Sequence, residues 1–183
     1  MLSVPAVCTV ACLGVTLVAA VYDARTGHIP NWITLPPLVL APLIWFAYGG
    51  LWKSDRGSLG GSLGSMFLCA AVPWLLFRMK AIGAGDVKLF AAIGALTLAD
   101  LGIQALFYSF CAGSLFALAR LAWEGKLLRT LGNTLFLAVN PLLPKKYRRP
   151  IAHELMTKMR FAVAIFVGTL VAALANNRAH GLL

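Results

Sequence analysis

The sequence predicts an all-α membrane protein: a bundle of about six transmembrane helices with a short fourth helix, forming a single integral-membrane domain over residues 1–183. Three observations carry that prediction. Hydrophobic residues make up 60% of the chain and charged residues 12%, with a mean hydropathy of +0.83, whereas a soluble domain carries about 25% charged residues. Apolar runs recur along the chain with short polar connections, and 183 residues hold roughly six crossings of ~20 residues. The net charge of +10 comes from Lys and Arg gathered beside the apolar runs, the pattern that orients helices in a bilayer. It does not interleave with aromatic residues as a nucleic-acid surface does, so membrane lipid, and no nucleic acid, is the partner that composition implies.

The elements follow in order. Leu2 to Tyr22 is a charge-free run of one helix's length. No Lys or Arg precedes it as in a cleaved signal peptide, so a retained helix is expected. Asp23 to His28 reads as a polar loop with a Thr-Gly turn, and Pro30 suits the first turn of the next helix, where its missing N–H is not needed. Ile33 to Gly49 is the second span. Its Pro36, Pro37 and Pro42 free backbone carbonyls, which predicts a kinked helix packed inside the bundle. Trp32 and Trp45 fit either interface anchors or core packing. Gly50 to Gly61 is a Gly/Ser-rich loop with Asp55 beside Arg56, a solvated pair.

Gly61 to Phe77 is the third span and leads through Arg78 and Lys80 into Gly83-Ala84-Gly85-Asp86-Val87-Lys88. The fourth run, Leu89 to Ala99, covers only about half the hydrocarbon thickness at ~1.5 Å per residue. Asp100 is expected to cap a fifth helix, Leu101 to Ala119. Between Arg120 and Arg160 the chain is basic. Its apolar run Leu131 to Leu143, broken by Asn133, Asn140 and Pro141, suits a segment that lies on or re-enters the membrane, and Glu124 and Glu154 read as solvated partners of neighbouring cations. Phe161 to Ala175 is the last span. Cys8, Cys12, Cys69 and Cys111 all fall within apolar runs without C-x-x-C spacing, which predicts small buried thiols and no metal site.

Counting cations by side fixes the expected topology. With the first loop in the cytoplasm, 13 of the 16 Lys and Arg fall on that side and 3 on the other, as the positive-inside rule requires. Asp23 and Asp86 then share the cytoplasmic face.

An isolated acid at a membrane boundary costs roughly 2.5–3.5 kcal/mol on insertion scales, and acids that persist there usually line a functional cavity. Two such carboxylates are the parts of an aspartic protease: one ionised to draw a proton from water, one protonated to donate to the scissile carbonyl. At ~5 Å and an effective dielectric near 20 they repel by about 3 kcal/mol. The pair is therefore expected to hold one proton near neutral pH, with macroscopic constants that belong to both acids together. Gly83 and Gly85 allow a substrate backbone to come close. Lys88 suits either snorkelling to the interface or pairing with an acidic substrate residue.

Gly83-Ala84-Gly85-Asp86 resembles the G-x-G-D signature of intramembrane aspartyl proteases, and its extension Val87-Lys88-Leu89 resembles the type IV prepilin peptidase branch. Asp23-Ala24-Arg25-Thr26-Gly27-His28-Ile29-Pro30-Asn31 has the D-x5-I-P-N form of that branch, and Tyr22-Asp23 is similar to the Y-D pair of presenilins and signal peptide peptidases. The resemblance implies a membrane-embedded aspartic endopeptidase of the bacterial inner membrane that removes the leader of a type IV prepilin or pseudopilin at the cytoplasmic face. Asp23 and Asp86 would be its catalytic pair, with Gly83, Gly85, Lys88, Ile29, Pro30 and Asn31 supporting motif or substrate, and no cofactor or metal. Larger members of the family add a methyltransferase region with paired cysteines. The sequence shows none, and so resembles the compact peptidase-only branch of Flp and tight-adherence pili. A small proton- or cation-coupled transporter using the same acids is the alternative, against which the lack of a clear internal repeat counts. A signal peptide peptidase-like enzyme shares the dyad but fits Ile29-Pro30-Asn31 and Val87-Lys88-Leu89 less well.

Overall fold

A computed structural model describes residues 3–51, 57–123, 125 and 161–179, all helical apart from short connections. The helices are α1 (Val4–Thr26), α2 (Asn31–Gly49), α3 (Leu59–Arg78), α4 (Ala84–Trp123) and α5 (Ala162–Ala179). Internal contacts divide the chain into two units, Met1–Gly113 with Arg160–Leu183, and Ser114–Met159. The readings of Asp55 and Arg56, of Glu124 and Glu154, and of the run 131–143 lie outside the described residues.

Helix α4 joins the expected fourth and fifth runs, but it is not straight. Leu98 has non-helical backbone (φ 61°, ψ −173°), and the Phe90 and Phe110 rings stack with centroids 5.8 Å apart. Twenty residues of straight helix would hold those rings about 30 Å apart, so the chain folds back at Leu98 into two arms, 84–97 and 99–123. Among the described residues the six expected spans thus appear as five helices, one of them bent into a hairpin. Asp100, expected as a cap, stands already in helical backbone, because Leu98 occupies the non-helical position two residues earlier. There its charge faces the positive end of the second arm's dipole.

The first arm is the hub of the core. Leu89, Phe90, Ala92, Ile93, Ala95 and Leu96 are all buried, with Phe161, just before α5, tilted against both Phe90 and Phe110. Small residues let the neighbours approach, as in other membrane bundles. A Cβ on Gly94 would overlap the Ser65 carbonyl of α3, and one on Gly168 of α5 would overlap the Ser109 backbone of the second arm. Helix α5 packs along α1, and α2 packs on both α1 and α3.

At the end of the bundle where the hairpin turns, broken backbone is repaired by side chains. A helix terminus leaves its last four carbonyls open. Two of those in the first arm are taken: Trp45 donates its indole N–H to the Leu96 carbonyl (3.1 Å) and Ser62 its hydroxyl to the Ala95 carbonyl (2.8 Å). Ser58 caps α3 by accepting from the Gly61 N–H. Trp45 is therefore a core residue, while Trp32 is 61% exposed. Helix α2 runs from Asn31 to Gly49 with Pro36, Pro37 and Pro42 inside it. Pro30 precedes α2 as its cap instead of entering its first turn. Of the cysteines, Cys8, Cys12 and Cys69 are buried but Cys111 is exposed, on the same outward stripe as Phe107 and Leu115, one helical turn to either side.

By length and composition α1, α2, α3 and α4 are each long and apolar enough to cross a membrane, and α5 carries a shorter apolar stretch, Ala162–Asn177. Their outward faces suit lipid: Val10, Val39, Phe67, Phe107 and Leu115 are all at least 60% exposed, an apolar surface that a water-soluble monomer rarely presents.

Candidate functional site

At the opposite end of the bundle, the C-termini of α1 and α3 meet the N-termini of α2 and α4. Helix α1 runs one turn beyond the expected Tyr22 and carries Asp23 inside its last turn. Thr26 extends it by donating its hydroxyl to the Tyr22 carbonyl (2.9 Å). Gly27, at φ 73°, then ends the helix and donates its N–H to the Asp23 carbonyl (2.9 Å), a left-handed position where glycine has no Cβ to strain. The expected six-residue loop shrinks to Gly27–Pro30. Tyr22 steadies it with edge-on contacts to His28 (6.3 Å) and Trp32 (5.8 Å).

Asp86 reaches the same end from α4. Gly83 precedes the helix, and its carbonyl receives the Val87 N–H (3.4 Å). The Asp86 carboxylate reaches back to accept the Gly83 N–H at its Oδ2 (3.1 Å). That is the reciprocal half of a capping box, made by an acid three residues into the helix, and it fixes where the carboxylate points. The approach to Gly83 is a Schellman ending of α3: the Ala81 N–H bonds the Leu76 carbonyl and the Lys80 N–H the Phe77 carbonyl, both at 2.9 Å, with Lys80 left-handed at φ 59°.

Both acids are buried, Asp23 at 6% exposure and Asp86 at 8%, and they lie near enough to interact electrostatically. Asp23 Oδ2 is buried without a hydrogen-bond partner among the described residues. A buried unsatisfied oxygen of this kind costs about 1–3 kcal/mol or more, so it calls for a partner or a role.

The two sequence motifs also touch. A Cβ on Gly85 would stand 3.0 Å from Ile29 Cβ and 3.4 Å from the Ile29 carbonyl oxygen, so glycine is what admits Ile29 to α4. Three residues after Gly85, Lys88 donates its ammonium to Asn31 Oδ1 (2.8 Å), a contact that neither expected role for Lys88 anticipated. Pro30 lies between these two contacts, its extended backbone (φ −74°, ψ 151°) starting α2. All eight motif residues therefore gather at one end: Asp23, Ile29, Pro30 and Asn31 from one side, Gly83, Gly85, Asp86 and Lys88 from the other. Among the described residues no three His, Cys, Asp or Glu are grouped as a metal site would need.

Chemically, the site offers two buried carboxyl groups within electrostatic reach of each other, one with an oxygen unpartnered among the described residues, at one end of an apolar bundle. Such a pair can divide the roles of acid and base between its members. Comparison with known proteins agrees in placing both motifs inside one family. The chain is similar to the prepilin leader peptidase/N-methyltransferase of Neisseria gonorrhoeae, 41% identical over 86 residues, which is 46% of this chain and 28% of that relative's length. No solved structure matches it. The model of the type IV leader peptidase family matches residues 10–118, a stretch that contains both acids, and the chain belongs to that family.

Proposed function

We propose that the protein is an aspartic endopeptidase that removes the leader peptide of type IV prepilins, of the Flp-like kind, at the cytoplasmic face of the bacterial inner membrane. The observation that carries this reading is the burial of both Asp23 and Asp86 at one end of the bundle, within electrostatic reach of each other, with Asp23 Oδ2 unpartnered among the described residues. Membership of the leader peptidase family supports it, as does the bias of Lys and Arg toward the side that holds both acids.

A peptide bond inside a helix is shielded by its own hydrogen bonds, so the substrate presents an extended segment at the membrane surface. Gly83 adds no side chain beside the Asp86 carboxylate, while Gly85 admits Ile29 against the start of α4. One carboxylate takes a proton from the attacking water while the carboxylic acid of the pair donates to the scissile carbonyl oxygen. The tetrahedral intermediate then breaks its C–N bond as the amine leaves with a proton returned by the dyad. Because one shared proton is needed, the rate falls at pH values where the pair holds none or two, giving a bell-shaped profile.

The experiment is to incubate the purified chain in lipid with a candidate prepilin and sequence the new N-terminus. Cleavage at the end of the leader supports the proposal. An intact prepilin, together with proton- or cation-coupled uptake into vesicles that Asp→Asn changes block, would replace it with transport.

A further inference from the structure

Lys88 and Asn31 lie outside the acid pair, yet they join the two halves of the site. The segment Gly27–Asn31 acts as a strut between them. Its first residue is tied to Asp23, through the Gly27 N–H on the Asp23 carbonyl (2.9 Å). Its far end is held on α4 by Ile29 against Gly85 and by the Lys88–Asn31 hydrogen bond (2.8 Å). Asp86 sits between those two contacts in sequence, one residue after Gly85 and two before Lys88. The strut is thus one direct link between the helices that carry Asp23 and Asp86, beside the shared apolar core.

We infer that Lys88 and Asn31 form a clasp that positions the two acids, and that Lys88 acts on the reaction by holding α2 to α4 and not by binding substrate. The inference rests on the endopeptidase reading for its kinetic test and on geometry alone for its structural one. Misplacing reacting groups by about 1 Å can cost about a hundredfold in rate, so a single clasp bond has leverage well beyond its own strength.

The test uses the full chain in lipid. Asn31→Ala and Lys88→Met are each expected to lower kcat for leader cleavage about tenfold with KM within about twofold, because the ground-state contacts to substrate remain. The double variant should fall no further than the weaker single variant, as two ends of one bond require. Asn31→Asp, which keeps an acceptor for Lys88, should recover most of the rate lost in Asn31→Ala. A rise in KM with kcat intact would make Lys88 a substrate contact and overturn the inference, as would effects that multiply in the double variant.

A second measurement needs no activity. In Asp23→Cys/Asp86→Cys chains, oxidant-driven disulfide formation, mapped by mass spectrometry, should slow about tenfold when Asn31→Ala or Lys88→Met is added. Unchanged cross-linking overturns the clasp. If the wild-type chain cleaves no prepilin, the endopeptidase reading fails and the cross-linking rate still decides whether the clasp exists.

Discussion

The two ends of the bundle handle broken backbone and buried polar groups in opposite ways. At the hairpin end, the carbonyls of Ala95 and Leu96 are taken by Ser62 and Trp45, Ser58 caps α3, and Gly57 lets the Trp45 ring and the Leu98 side chain close over it. At the acid end, a carboxylate oxygen of Asp23 stays buried with no partner among the described residues, and the neighbouring helices approach through glycine and a single lysine–asparagine bond. Each end also carries one residue other than glycine at positive φ, Leu98 and Lys80. The contrast teaches where stability and the proposed function would reside: one end is closed by satisfying its polar groups, and the other, among the described residues, leaves one unsatisfied beside a second buried acid, as the proposed chemistry would use.

Substitutions at each end can break or sharpen that contrast. The largest effect is expected from Gly85→Val, whose side chain would push Ile29 away from α4. The leader-cleavage rate of the purified chain should drop about a hundredfold or more while the amount of protein in the membrane holds; a near-normal rate would mean that the motif contact does not set the site. A smaller effect, and of a different kind, is expected at the hairpin end. Trp45→Phe deletes the bond to the Leu96 carbonyl and should lower stability in detergent unfolding by about 1–2 kcal/mol, with cleavage per folded molecule within about twofold. If cleavage collapsed there too, the two ends would not be separable. The smallest effect is a gain. Lys80 is exposed and left-handed, so Lys80→Gly removes the Cβ strain of that position and should stabilise the protein by about 0.5–1 kcal/mol, read as a shift in the same unfolding curve.

Much of the acid end is legible in the sequence, because its features are local. The two acidic motifs are legible through their family resemblance, and the placement of both acids at one end of the bundle follows from hydropathy and helix order. The extra turn of α1 was harder to see. Asp23 through His28 looks like a loop by polarity, but Thr26 bonds back to Tyr22 and only Gly27 ends the helix. The fourth run reads as a short helix ending at Ala99, but the break falls at Leu98, inside that run and two residues before Asp100. Leucine there carries no turn chemistry, so tertiary contacts, the side chains of Trp45 and Ser62 and the space beside Gly57, specify the reversal instead of a local preference. The Lys88–Asn31 bond joins residues far apart in the chain, and no periodicity or motif spacing encodes such a pairing. Cys111 shows the limit of hydropathy in a membrane chain: an apolar run does not say which side of its helix faces lipid and which faces the core.

The proposed reaction requires Asp23 and Asp86 to work as one unit. The most direct measurement is the residual rate of leader removal by the purified chain for Asp23→Asn, Asp86→Asn and the double variant, each reconstituted in lipid and read by sequencing the product. Groups that act together lose their effect together. Each single change should lower the rate by about a thousandfold or more, and the double change should be no worse than either. A single variant that still cleaves at the wild-type rate, or losses that multiply in the double variant, would contradict it.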